Sequence, residues 1–343
     1  MENLHDWCIS RQIWFGHPIH VSYCLTSNGG CGEIIVSIEQ TTTCPKCGNT
    51  NLTHEEDTLD TWFSSGMWTF STLGWPDAVE YKNGTIIKKG DLATFHPTTV
   101  VETAYDILTT WVSRMVMMTK YALNEVPFKN VYFHGLVLDK DGKKMSKSRP
   151  ETAIDPLEMI TKYGADALRM SLISGVTPGN NMRLSEEKIE SNRNLVNKIW
   201  NISRYVLTFT AGDTTQQTDY SLADQWIISK LNRLITDVSS AIEQYEFSRA
   251  AEILRVFTID DFADWNIEVS KVEGGKRTLL LSILEVLLVL WHPLIPFVTE
   301  EIYHLAHSSF PEGENSRPSL LMVRAWPLAN PNAISEQTET DFA

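Results

Sequence analysis

Asp139-Lys140-Asp141-Gly142-Lys143-Lys144-Met145-Ser146-Lys147-Ser148 reads as a polar, basic loop between a strand and a helix. Before it, residues 131–138 are rich in β-branched and aromatic side chains and have strand composition. After it, Ile154-Asp155-Pro156-Leu157 opens a helix, with Asp155 as N-cap and Pro156 at the first helical position. Between Lys140 and Arg149 five basic residues stand against one acidic residue. Such a loop suits closure over phosphate. Glycine and serine let the backbone approach, hydroxyls donate, and ammonium groups neutralise charge building on a phosphoryl leaving group. The competing reading is a solvated basic loop.

Working outward, short apolar runs alternate with helical patterns from 59 to 173, and residues 100–123 read as one largely buried helix. Strands alternating with helices predict a parallel α/β sheet. From Ser185 the pattern changes. Ser185-Glu186-Glu187-Lys188 resembles a helix start with acidic residues in its first turn, and 188–210, 223–245, 247–271 and 277–307 carry helix-length periodicity. The second half is therefore expected to be an all-helical bundle, and 330–343 a polar tail without a capping signal.

With 343 residues, two or three domains are within reach. The net charge of −14 provides no global attraction to nucleic acid, so RNA binding would have to rest on local basic clusters. The longest apolar stretch, 279–291, is interrupted by Ser282 and Glu285 and is too short to span a bilayer. No signal-peptide pattern opens the chain, and a cytosolic location is expected.

Four of the five cysteines fall in one window: Cys24, Cys31, Cys44 and Cys47. Cys44-Pro45-Lys46-Cys47 with Gly48 behind it has the form of a zinc knuckle, and the wider Cys24–Cys31 pair completes a set of four thiolates. Such a set leaves no open position for a substrate, so the metal is expected to be structural. A degenerate, metal-free knuckle is the alternative.

The stretch 131–173, from the strand through Lys144-Met145-Ser146-Lys147-Ser148 to Lys162-Tyr163-Gly164-Ala165-Asp166-Ala167-Leu168-Arg169, resembles the KMSKS region of class I aminoacyl-tRNA synthetases. The likeness extends to Asp6-Trp7-Cys8-Ile9-Ser10-Arg11-Gln12-Ile13-Trp14-Phe15-Gly16-His17 and to Trp291-His292-Pro293-Leu294-Ile295-Pro296-Phe297. Asp57-Thr58-Leu59-Asp60-Thr61-Trp62-Phe63-Ser64-Ser65-Gly66 resembles the valine-specific branch; an isoleucine or other branched-chain enzyme is the alternative. The resemblance implies an incomplete Rossmann-like catalytic portion with an inserted zinc knuckle, followed by a helical anticodon-binding domain. Its segments would be 1–23 (re-entry), 24–56 (knuckle), 57–184 (catalytic), 185–329 (bundle) and 330–343 (tail).

By the same resemblance ATP, used with Mg2+, valine and tRNA(Val) would be substrates. Lys144, Ser146 and Lys147 would serve the leaving pyrophosphate, and Met145, Ser148, Asp106, His134 and Gly135 would hold ATP. Trp14 and Trp62 would wall the amino-acid pocket, unless both are core tryptophans. This chain has Ala104 where the family has glycine, and Arg149-Pro150 where it has Gly-Asn, which makes for a stiffer loop. Arg193, Lys198 and Arg204 recur on one helix as candidate tRNA contacts or a solvated face. The histidine motif that class I activation also uses is not found here. The expectation is a fragment, or one half of a split enzyme inactive without an N-terminal partner; a non-catalytic tRNA-binding scaffold is the third reading.

Overall fold

The computed structural model describes residues 5–139, 141–145, 154–209, 219–310 and 318–342. The chain divides into two compact units, Met1–Phe133 and His134–Ala343.

In the first unit, β1 (Ser10–Arg11) pairs antiparallel with β5 (Thr58–Leu59). Between them β2 (Val21–Tyr23), β3 (Ile34–Val36) and β4 (Thr53–His54) form an antiparallel sheet in the order β3-β2-β4. This sheet carries the cysteine knuckle on a core of Cys24, Ile35 and Cys44, with Leu52 against it. Short helices α1 (Thr61–Gly66) and α2 (Trp68–Ser71) follow, then the hairpin β6 (Val79–Lys82) and β7 (Thr85–Lys88), and α3 (Gly90–Phe95).

Residues 100–123 are not one helix. The β-branched run Thr98-Thr99-Val100-Val101 belongs to strand β8 (Thr98–Ala104), which fits a pleated surface better than a helix. A turn at Tyr105–Ile107 and a wide π-turn at Leu108–Val112 lead into α4 (Ser113–Leu123). β8 neighbours β9 (Phe128–His134), and Val101, Val112, Met115 and Phe128 are buried together.

In the second unit, β10 (Val137–Leu138) pairs parallel with β11 (Met182–Arg183) across a connection holding α5 (Pro156–Tyr163) and α6 (Ala165–Ile173). Asp155 caps α5, accepting from Leu157 N–H at 2.8 Å, with Pro156 in the first turn as its sequence predicts. Of the expected parallel α/β sheet the described residues show the short parallel pair β10–β11, while β8 and β9 form a separate two-stranded pair.

The bundle comprises α7 (Glu186–Phe209), α8 (Leu222–Glu243), α9 (Phe247–Val256), a π-helical stretch Phe257–Asn266, α10 (Ile267–Glu273), α11 (Arg277–Trp291) and α12 (Pro296–Ala306). α11 is apolar on nearly every face and is buried along most of its length, as a central helix must be. Around it Val238, Leu254, Phe262, Leu284, Trp291 and Tyr303 belong to one continuous core. The α8 N-terminus closes with a Ser221–Asp224 capping box, and buried Lys276 pairs with Asp224 and, at 2.7 Å, with Glu273. The last segment is more ordered than its polarity suggests. Ser335 accepts from Thr338 N–H at 3.2 Å and opens α13 (Glu336–Phe342), which packs on α8 through a 4.5 Å stack of Phe342 on Trp226.

Candidate functional site

The basic loop is built from the end of β10. Asp139 is buried, and its Oδ1 accepts from the N–H groups of Asp141 (3.0 Å) and Lys143 (2.8 Å). Gly142, at φ 79°, supplies the left-handed residue that returns the chain, and Lys144 bridges back to Leu138. A carboxylate thus folds the turn that presents the first motif lysine. Met145 points the other way, against the apolar cluster of Met159, Leu168, Met182, Leu184 and Ile189, and acts there as an anchor for the loop. Ser146, Lys147 and Ser148 lie outside the described residues.

Gly135 follows the strand end directly. A Cβ there would sit 1.7 Å from the Asn180 carbonyl oxygen, so the position admits no side chain. Asn181 Oδ1 accepts from Leu136 N–H at 2.8 Å and fixes the same crossing, while His134 Nδ1 lies 2.9 Å from the Gly135 oxygen. The glycine here serves a close backbone approach.

In the first unit Asp106 is exposed on the turn after β8. Trp14 is 97% exposed and Phe15 91% in this chain, and Trp62 is half-buried on α1. The sequence reading missed the group that organises this region. Asp60, 5% exposed, accepts from Trp7 Nε1 (2.8 Å) and Arg11 Nη2 (2.7 Å), caps α1 through Trp62 N–H (3.4 Å), and faces Arg114 at 3.6 Å. The Arg114 guanidinium lies 3.9 Å over the Trp7 ring. The capping position of Asp60 before Thr61 was the available signal; its partners 49 and 53 residues upstream were not readable.

The four knuckle cysteines converge. Their Sγ atoms all lie within 4.8 Å of one another, with Cys24–Cys47 at 3.6 Å, Cys31–Cys44 at 3.7 Å and Cys24–Cys31 at 3.9 Å. Four sulfurs about 2.3 Å from a tetrahedral zinc would be about 3.8 Å apart, and a disulfide would need about 2.05 Å, so the set fits a metal ion and not a cystine pair. Burial pushes the Cys44 thiol up, but the N–H groups of Cys47 and Lys46 and the neighbouring thiols pull it down further, to about 7. At Cys24 the Cys31 N–H pulls down, yet burial and the thiols of Cys47 and Cys44 prevail and raise it.

A second missed link lies in the bundle. Asp166 on α6 accepts from the N–H groups of Phe297 (3.3 Å) and Val298 (2.7 Å), and Arg169, one turn on, donates to the carbonyls of Pro293 (3.0 Å) and Leu294 (3.1 Å). Burial holds the Asp166 pKa above its ordinary value despite these donors. Two stretches noted separately in the sequence are thus one structural device. On α7, Arg193, Lys198 and Arg204 are exposed, with Lys198 3.8 Å from Asp264.

Residues 1–185 match the family of tRNA synthetases class I (I, L, M and V), and residues 224–343 match the anticodon-binding domain of tRNA ligases. The chain belongs to the class I tRNA synthetases. Among curated relatives it is 44% identical over 348 residues to a valine–tRNA ligase of Dehalococcoides mccartyi, covering 99% of this chain and 38% of that one. It is 47% identical over 316 residues to a valine–tRNA ligase of Clostridium tetani, covering 88% and 34%. The chain therefore spans under two-fifths of the length of these relatives. A solved LeuRS–tRNA–LeuAMS complex from Agrobacterium radiobacter shares the fold, with a TM-score of 0.74 at 22% identity over 97% of this chain and 43% of that chain.

Proposed function

We propose that this chain is the part of a valine–tRNA ligase that closes over ATP and holds the anticodon side of tRNA(Val). The observation that carries this reading is the 40–47% identity to relatives named valine–tRNA ligase. The chemistry is attack of the valine carboxylate on the α-phosphate of ATP. A C–O–P anhydride bond forms, magnesium pyrophosphate leaves, and the resulting valyl-adenylate then acylates the tRNA.

In this reading Lys144 and Lys147, with Ser146 beside them, take up the charge that develops on pyrophosphate, where ammonium groups act more strongly on the transition state than on bound ATP. Asp139 sets the turn from which Lys144 projects, and Met145 anchors the loop so that it can close from a fixed base. Ser148 and the His134–Gly135 strand end line the nucleotide, Asp106 accepts from the ribose hydroxyls, and Trp14 and Trp62 meet the valine side chain. Cys24, Cys31, Cys44 and Cys47 hold a structural zinc, which needs a reducing compartment such as the cytosol. Arg193, Lys198 and Arg204 touch tRNA phosphates. The remaining strands of the catalytic sheet and the histidine motif come from another part of the enzyme, so the chain acts as one portion of it.

The test is valine-dependent pyrophosphate exchange by the complete synthetase in which this chain forms the C-terminal catalytic portion. Lys144→Ala with Lys147→Ala is expected to lower kcat by roughly 10²–10³-fold with little change in KM for valine. Exchange driven by isoleucine in preference to valine, or unchanged in the double variant, would refute the assignment.

A further inference from the structure

Strand β3 is an edge of the knuckle sheet, whose order is β3-β2-β4. Its pairing with β2 runs Tyr23↔Ile34, Ser22↔Ile35 and Val21↔Val36. Cys24 N–H donates to Glu33 O, and Ser37 N–H to His20 O. In an antiparallel ladder hydrogen-bonded and non-bonded pairs alternate, so Ile34 and Val36 occupy non-bonded positions whose N–H and C=O groups point to the open edge. Their side chains share the face opposite buried Ile35, and Ile34, Val36 and Ile38 are 63%, 78% and 92% exposed. Proteins usually blunt such an edge with charge or proline in its middle. Here the middle is β-branched and apolar.

The flanks indicate what fits. The strand reads Glu33-Ile34-Ile35-Val36-Ser37-Ile38-Glu39, acidic at both ends. A second copy pairing antiparallel about Val36 would match Ile34 with Ile38 but set Glu33 opposite Glu39 at each end, and like charges facing across strands repel. Lys46 pairs with Glu33 at 2.8 Å, whereas no ion pair among the described residues engages Glu39. Beside the end of β3 lies a cavity of about 320 Å3 lined by His20, Ser37, Glu39, Gln40, His54 and Glu55. Glu55 is already taken up by the Tyr23 hydroxyl (2.7 Å) and the N–H groups of Glu56 and Asp57, so Glu39 is the carboxylate there that suits a cationic side chain. Around it, residues 24–57 carry five carboxylates against a single lysine.

We infer that the β3 edge is a docking site for an extended strand of a partner protein, apolar at alternate positions and basic at its ends. The partner strand extends the sheet through the outward backbone groups of Ile34 and Val36, lays its apolar residues along Ile34, Val36 and Ile38, and places a Lys or Arg in the cavity at Glu39. Backbone pairing supplies affinity, and the acidic cavity supplies selection.

The full chain is titrated into fluorescein-labelled Lys-Ile-Thr-Val-Thr-Ile-Lys and read by anisotropy, against Glu-Ile-Thr-Val-Thr-Ile-Glu as control. The basic peptide is expected to saturate, with the acidic one at least about tenfold weaker. Val36→Pro, which removes an outward N–H, should abolish binding, and Val36→Thr, which keeps strand propensity, should weaken it several-fold. Glu39→Lys should erase or reverse the preference between peptides without touching the knuckle core. Absence of binding by either peptide, equal binding of both, or a preference unchanged in Glu39→Lys would overturn the inference. A chain that sediments as a dimer and becomes monomeric in Val36→Pro would overturn it too, by assigning the edge to a second copy.

Discussion

The two units hold themselves together by different means. The second unit has a large apolar core running from Met170 to Leu321 around α11, with one smaller cluster of Met159, Leu168, Met182, Leu184 and Ile189. The first unit has small separate clusters: Cys24 with Ile35 and Cys44, Phe70 with Leu92 and Leu123, and Val101 with Val112, Met115 and Phe128. What joins its pieces is polar. Four thiols meet in the knuckle, Asp60 gathers Trp7, Arg11 and Arg114, and Glu125 gathers Lys88 (2.6 Å) and buried His96 (2.9 Å). A chain rich in short strands and turns offers little continuous apolar area, so its order falls to directional contacts that fail individually.

That difference can be broken most severely at the zinc proposed for the knuckle. Chelation, or Cys44→Ser, is expected to unfold residues 24–57, because binding energies of roughly 10–16 kcal/mol are measured for structural zinc sites of this type. The helical signal at 222 nm should persist through the titration while amide protection in the knuckle is lost. Simultaneous loss of both would show that the units do not differ as described.

Single side chains separate the units more finely. Asp60→Ala leaves half-exposed Arg11 and largely buried Arg114 without their carboxylate, and should cost about 1–3 kcal/mol, confined to the first unit. Leu284→Ala opens a cavity in the bundle core and should cost about 2–5 kcal/mol, lowering the helical transition as a whole. Denaturant titration followed separately by amide protection within the first unit and by circular dichroism at 222 nm distinguishes a local from a global loss. Equal effects on both probes from Asp60→Ala would erase the contrast.

The smallest effect is in pH. Burial pushes the His96 pKa below 6.5, opposed by Glu125 and assisted by Lys88. Above about pH 6.5 the ring is neutral in both states. As pH falls below that value the unfolded chain takes up the proton and the folded one does not, so stability declines towards the folded pKa, by less than about 1.4 kcal/mol per pH unit. Melting between pH 7.5 and 5.5 should show this slope, and His96→Gln should flatten it.

What the sequence disclosed follows the same division. The Asp155-Pro156 helix start, the periodicities of α7 to α12 and the cysteine spacing are signals carried within a few residues, and each has its counterpart in the fold. Residues 100–123 misled because Val and Thr are apolar enough to continue a helical pattern while preferring a strand. α13 was missed because its one anchoring aromatic, Phe342, sits among carboxylates, and its partner Trp226 is over a hundred residues away. For the same reason the Asp60 hub and the contacts of Asp166 and Arg169 could not be read: each closes over a long span, and a charged residue looks the same in sequence whether solvated or buried. Of the site, the position of the basic loop after a strand and the gathering of the four cysteines were legible, whereas the Asp139 turn, the packing of Met145 and the steric demand at Gly135 required coordinates.

Asp166 and Arg169 hold the bend before α12 by its main chain alone, the acid taking the amides that begin one helix and the base taking the carbonyls that finish another. Main-chain groups are common to every amino acid. Exposed Pro293 and Phe297 should therefore tolerate replacement that keeps their backbone path, whereas Leu294 and Ile295, buried in the bundle core, and the two gripping side chains should not. A saturation library across both stretches would show permissive positions at 293 and 297 and fixed ones at 166 and 169.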